Sequence, residues 1–236
     1  MKYKFDINLN KSRDTWNWQD ARLNPTFQGF SWRSQLSGSF LTFFDNISKI
    51  SDKAARAEIK TFLDDIYRKN GTFYKEKQEK IADEFVTKFI PACEWIEKVT
   101  DKPLYFKSYK IYLTTFPRCP YDSINGSFYF NVYNNENLVN TFMHEVLHFQ
   151  FIHYWRDNPK SPVSKLSEND FDYLKESLTV IIDDDAAPPA DSAEMGYIQK
   201  HHEFRKKIHK NWIINHNFDM LVEYSLEILP EFIEKK

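Results

Sequence analysis

The sequence predicts a helix-rich α+β fold, and three observations carry that prediction. Only five glycines occur in 236 residues, which argues for helices joined by few tight turns. Apolar residues recur at three- and four-residue spacing over much of the chain, and only two short stretches switch to period two. With 42% apolar and 28% charged residues the composition is globular, and the length suffices for one sizeable core or one domain with a substantial appendage.

Residues 1–50 scatter Trp16, Trp18, Phe27, Phe30 and Trp32 among polar positions, which reads as a region ordered by its aromatics and partly helical. From Ser51, with Ser51 and Asp52 as caps, Ala54, Ile59, Phe62, Leu63 and Ile66 mark a helix. A second helix from about Glu76 carries Ile81, Phe85, Val86 and Phe89, and Pro91 is expected to kink or end it. In KSYKIYLTT and SFYFNVY the period becomes two, with β-branched and aromatic residues alternating, so both read as strands. Asn125-Gly126 marks a turn before the second strand. A helix near 135–155 follows, then a polar loop, then a helix over about 170–182 with Phe171, Leu174, Leu178 and Ile181 on one face. DDDAAPPADSAEM is a break, and the last fifty residues read as two or three helices. Residues 1–100 are expected to form a helical region packing on a catalytic part made of residues 101–236.

Balanced charge, 32 basic against 34 acidic residues, removes any bulk electrostatic argument for nucleic acid or an anionic membrane as partner. No apolar run approaches the length of a membrane span, and the first twenty residues lack the apolar stretch of a signal peptide. Cys93 and Cys119 are too few for a disulfide framework or a cysteine-based zinc site. A cytoplasmic protein is the expectation, with export by a route without a cleaved signal left open.

Within the helix near 135–155, His144, Glu145 and His148 stand in the order H-E-x-x-H. Two histidines four apart share one helix face, so both rings reach a single cation. The glutamate after the first is rotated by about 100° and reaches water carried by the metal rather than the metal itself. A catalytic zinc takes three protein ligands and keeps an open position. The extended motif with a third histidine fails, because Phe151 stands at its glycine and Tyr154 at its histidine. Glu176 on the next helix is the best third ligand, with Asp172 and Asp183 as substitutes on the same face. If Glu176 binds, Thr179 one turn on is placed to orient a ligand histidine.

On these residues the chain resembles the gluzincins, the thermolysin-like branch of the zincin metallopeptidases. The resemblance covers about residues 105–182 and rests on HEVLH and a downstream helical glutamate. It implies a zincin-like fold with a small antiparallel or mixed sheet next to the active-site helix. It also implies zinc as cofactor, His144, His148 and Glu176 as ligands, and Glu145 as general base. The strand around Ser127–Tyr133 would be an edge strand pairing with an extended peptide, with Tyr129 and Asn131 touching substrate. The family's aspartate four positions after the glutamate is Val180 here.

Peptide hydrolysis also needs a group to hold the developing oxyanion. GYIQKHHEFR offers Tyr197 and His201 on one face, beside His202 and Arg205. The expected function is zinc-dependent peptide hydrolysis in which Glu145 activates a zinc-bound water, with a peptide or protein as partner and the oligomeric state open. Two rivals stand beside it: a non-catalytic, zinc-containing partner-binding protein, marked by a fourth protein ligand such as His153, and a zinc hydrolase of non-peptide amides.

Overall fold

The computed structural model describes residues 2–27, 29–133, 138–183 and 201–233. It is a helix-rich α+β structure with a mixed four-stranded sheet. Its contacts divide the chain into two units, Met1–Glu84 with Ser108–Asn135, and Phe85–Lys107 with Glu136–Lys236. The first unit thus draws strands from beyond residue 100.

In the first unit, strand β1 (Lys4–Leu9) leads into helix α1 (Lys11–Leu23), which Asn10 caps by accepting from the Arg13 N–H. A two-stranded ribbon, β2 (Thr26–Phe27) and β3 (Phe30–Ser31), precedes α2 (Gly38–Ile47). The two helices expected between Ser51 and Pro91 are joined over most of that length. Helix α3 runs Asp52–Glu84, with non-helical backbone only at Asn70, whose side chain donates to the Ile66 carbonyl.

Strands β4 (Ser108–Thr114), β5 (Tyr121–Asp122) and β6 (Ser127–Asn131) complete the sheet in the order β1-β4-β6-β5. β1 and β6 both run parallel to β4, with Ile7 opposite Ile111 and Ile111 opposite Phe128. This explains why the connection after β4 does not read as a hairpin: a parallel neighbour requires a crossover. β6, expected at the edge, is third of four. The turn after Asp122, with Gly126 at positive φ, folds β5 back onto Ser127 and Phe128. The Tyr129 N–H donates to the Pro120 carbonyl.

The core of this unit gathers around Trp18, with Phe44, Ile47, Ile59, Leu63 and Phe116 buried beside it. The Trp18 indole N–H donates to the Thr115 hydroxyl. One turn earlier, the buried Asp14 accepts from both Thr114 and Thr115 hydroxyls, the Thr115 N–H and the Tyr67 hydroxyl.

The second unit opens on a π-helical turn, Phe85–Phe89, into α4 (Ile90–Thr100). Pro91 sits in the first turn of α4, where its missing N–H costs least. It therefore starts a helix rather than ending one. Helix α5 (Leu138–Phe151) is buried on nearly every side and continues into a π turn, Ile152–Arg156. Phe89 stacks on Phe142, and the Gln150 amide joins α5 to the preceding loop through the Tyr105 N–H and the Pro103 carbonyl. Helices α6 (Glu168–Leu178), α7 (His202–Asn215), α8 (Phe218–Ile228) and the short α9 (Pro230–Ile233) follow. Trp155 packs edge-on against Phe218 and donates to Asp219 at the start of α8. Among the described residues, no helix is long and apolar enough to cross a membrane.

Candidate metal centre

Helix α5 presents His144 and His148 one turn apart, their ring centroids 4.3 Å from each other. Apolar residues on its remaining faces, including Phe142, Met143, Val146, Leu147 and Phe149, bury the helix and fix its rotation. The chain then has to bring α6 back onto α5, and Arg156 organises that return. Its guanidinium donates to the carbonyls of Val163 and Leu166 and to the Glu168 carboxylate, and it lies over the Phe171 ring. Phe171 stacks on Phe151 with an interplanar angle of 4°. Ser167 caps α6 by accepting from the Asp170 N–H.

The outcome is a group of three. His144 Nε2 lies 3.3 Å from Glu176 Oε2, and His148 Nε2 lies 3.3 Å from Glu176 Oε1. One ligand atom from each residue falls within 4.8 Å of the others. Tetrahedral zinc with bonds near 2.0–2.2 Å sets neighbouring ligand atoms about 3.4 Å apart. The imidazole–carboxylate separations match that spacing, and two histidines with one carboxylate are a donor set that suits zinc. These residues fit a metal ion.

Electrostatics favour the same arrangement. Burial pushes the His148 imidazole down to about 3, so it is neutral at ordinary pH, the form in which a histidine binds metal. Burial by itself would raise Glu176. The two histidine rings 3.3 Å from its oxygens and the Lys175 ammonium instead hold its carboxyl well below the usual range. The Lys175 ammonium lies 3.2 Å from Glu176 Oε1 and 3.2 Å from Asp172 Oδ1.

The backbone under Glu176 is fixed from α7. Buried Arg205 donates to the Glu176 carbonyl at 2.5 Å and to the Thr179 hydroxyl at 3.0 Å. The Thr179 hydroxyl donates to that same carbonyl. Thr179 was expected to orient a ligand histidine; its hydroxyl instead satisfies a carbonyl where α6 tightens into 3-10 geometry, a common use of threonine at a helix end.

Glu145 is buried on α5, directly after the first histidine. His201 packs on the Tyr173 ring, with Nδ1 3.4 Å from the Ser177 hydroxyl, so it meets α6 on the side of those two residues. Tyr197 and the Asp183 side chain lie outside the described residues. Asp172 engages Lys175. His153, the rival fourth ligand, stacks on Tyr105 and faces Asp157 at 3.0 Å. Tyr129 and Asn131 belong to the first unit. Tyr129 is buried against Tyr112 and Trp16, and Asn131 accepts from the Tyr133 N–H.

Sequence reasoning missed Arg156 and Lys175, and it offered Arg205 only beside the oxyanion candidates Tyr197 and His201. Lys175 and Arg205 are buried and Arg156 is half-buried, and that burial follows from tertiary packing, which leaves no local pattern. No protein-family model, curated protein or solved structure matches the chain.

Proposed function

We propose that the protein is a zinc-dependent metallopeptidase of zincin type. The observation that carries this reading is the convergence of His144, His148 and Glu176 from two helices upon one another's ligand atoms. Zinc held there would polarise a carbonyl and lower the pKa of water. His148 and Glu176 enter in the protonation states a metal requires, which spares the cost of deprotonation. His144 and Glu176 keep side-chain exposures of 18% and 14% against 2% for His148, so the group opens to solvent on their side. Glu145 takes the proton of the attacking water in this reading and returns it to the leaving amine. The oxyanion would be held by Tyr197 or His201, as expected from the sequence.

His153 bears on the non-catalytic rival. Its ring is committed to Tyr105 and Asp157, and among the described residues the metal group has three members. Three protein ligands with a further position open is the catalytic pattern.

The test is the zinc content of the purified chain beside its His148→Ala and Glu176→Ala variants, followed by a peptide-library screen of the zinc-loaded protein. One zinc per chain, lost in both variants, with cleavage of a library peptide, is the expected result. Zinc without cleavage would leave a binding protein or an amidase of other substrates. No zinc in the parent chain, even after supplementation, would end the reading.

A further inference from the structure

A cation of the chain lies against the metal group. Lys175 is 4% exposed, and its ammonium is shared between Glu176 Oε1 and Asp172 Oδ1 at 3.2 Å each. On an isolated helix a lysine beside a glutamate would point about 100° away and into solvent. Here the packing of α6 keeps it inside, against one oxygen of the same carboxylate that serves the two histidines.

We propose that Lys175 sets the metal affinity of the centre, sharing the Glu176 carboxylate with the incoming ion and holding binding weaker than the His144, His148 and Glu176 donors alone would give. The inference rests on the metal-site reading above. Two effects of the lysine compete. As a hydrogen-bond donor it orients Glu176, and losing such a partner typically costs about 10–100-fold in metal affinity. As a positive charge a few ångströms from a divalent ion it opposes binding by well over about a thousandfold, even at the effective dielectric of about 20 that suits protein sites. The second effect is the larger, so the net action of Lys175 is to weaken binding. Asp172 moderates it by holding the ammonium from the other side. A centre built this way exchanges its ion with the surrounding pool and tracks metal supply.

The experiment is competition with a chromophoric zinc chelator on the full chain, comparing the parent with Lys175→Met, Lys175→Arg, Asp172→Asn and a His148→Ala control. Lys175→Met should bind zinc at least tenfold more tightly, and Lys175→Arg, which keeps the charge, should stay near the parent. Asp172→Asn should bind several-fold more weakly, since it leaves the ammonium wholly to Glu176. A merely structural lysine would give weaker binding in both Lys175→Met and Asp172→Asn. Unchanged or weaker binding in Lys175→Met overturns the proposal, as does unchanged binding in Asp172→Asn; if Lys175→Met fails to fold, Lys175→Gln, which keeps a polar side chain without the charge, is read by the same criterion. Zinc bound equally by parent and His148→Ala, or by neither, would instead sink the metal-site reading itself.

Discussion

His148 Nε2 and Glu176 Oε1 meet at 3.3 Å, joining two helices across the loop between them. Burial holds the histidine neutral, and its surroundings hold the carboxylate ionised. The pair therefore stands ready for a cation while depending on pH in the metal-free chain.

The sign of that dependence follows from the shifts. His148 falls from 6.5 to about 3, so the folded chain binds fewer protons than the unfolded one between those values. Its contribution is complete above pH 6.5 and is lost as the pH falls towards 3. Glu176, also lowered, acts in the same direction below its ordinary range. Chelator-treated protein should lose about 2–4 kcal/mol between pH 7 and pH 4 through this pair. His148→Gln should flatten the profile in urea titrations at stepped pH; an equally steep profile would show that other groups govern it.

Arg156 offers a sharper mechanical test. It satisfies two carbonyls of the loop that returns α6 to α5, and its third partner, Glu168, has a side chain 84% exposed. Arg156→Ala should therefore cost about 2–3 kcal/mol, because two carbonyls lose a charged donor. Glu168→Ala should cost under about 1 kcal/mol, as exposed ion pairs do. Paired denaturation curves settle the contrast. Equal losses would mean that the ion pair, not the carbonyl bonds, holds the loop. Zinc affinity should fall with Arg156→Ala and hold with Glu168→Ala.

How far the site could be read from sequence follows from the range of each interaction. His144 and His148 are legible because one helical turn places them together whatever surrounds the helix. Glu176 was legible as a position on a polar face, since Phe171, Leu174 and Leu178 fix which way α6 turns, and all three are buried as expected. That face carries no mark to separate a ligand from a solvated acid. Lys175 shows the opposite limit: its burial is imposed by neighbours distant in sequence, and no spacing announces it. The sheet divides likewise. β4 and β6 are visible as alternation, whereas β5 has two residues and no period, so β6 looked like an edge. β1 was hidden because its parallel partner lies about a hundred residues away.

Asp14 is the test of the first unit. Burial pushes its carboxyl up, while hydrogen bonds from Thr114, Thr115 and Tyr67 pull it back. Asp14→Ala would leave several buried donors without an acceptor, each costing about 1–3 kcal/mol less whatever relaxation recovers. A total loss of about 3–5 kcal/mol by urea denaturation is expected, and a loss under 1 kcal/mol would show that the threonines and Tyr67 find other partners. Because the raised group binds its proton more tightly in the folded chain, its own contribution is largest at low pH and declines as the pH rises through its folded value.

Glu145→Gln separates binding from chemistry. The amide has the shape of the carboxylate, and Glu145 is outside the group of three that would hold zinc. Zinc content and affinity should therefore match the parent. If Glu145 is the base, turnover of any library peptide the parent cleaves should fall by about 10²–10⁴-fold, the usual contribution of a positioned acid or base. The loss should appear in kcat with KM little changed, since the carboxylate acts on the transition state rather than on bound substrate. A variant that lost zinc as well would make Glu145 part of the scaffold of α5, which its burial between the histidine turns would then explain. A variant with full zinc and full activity would remove Glu145 from the mechanism and transfer the proton to another group near His144.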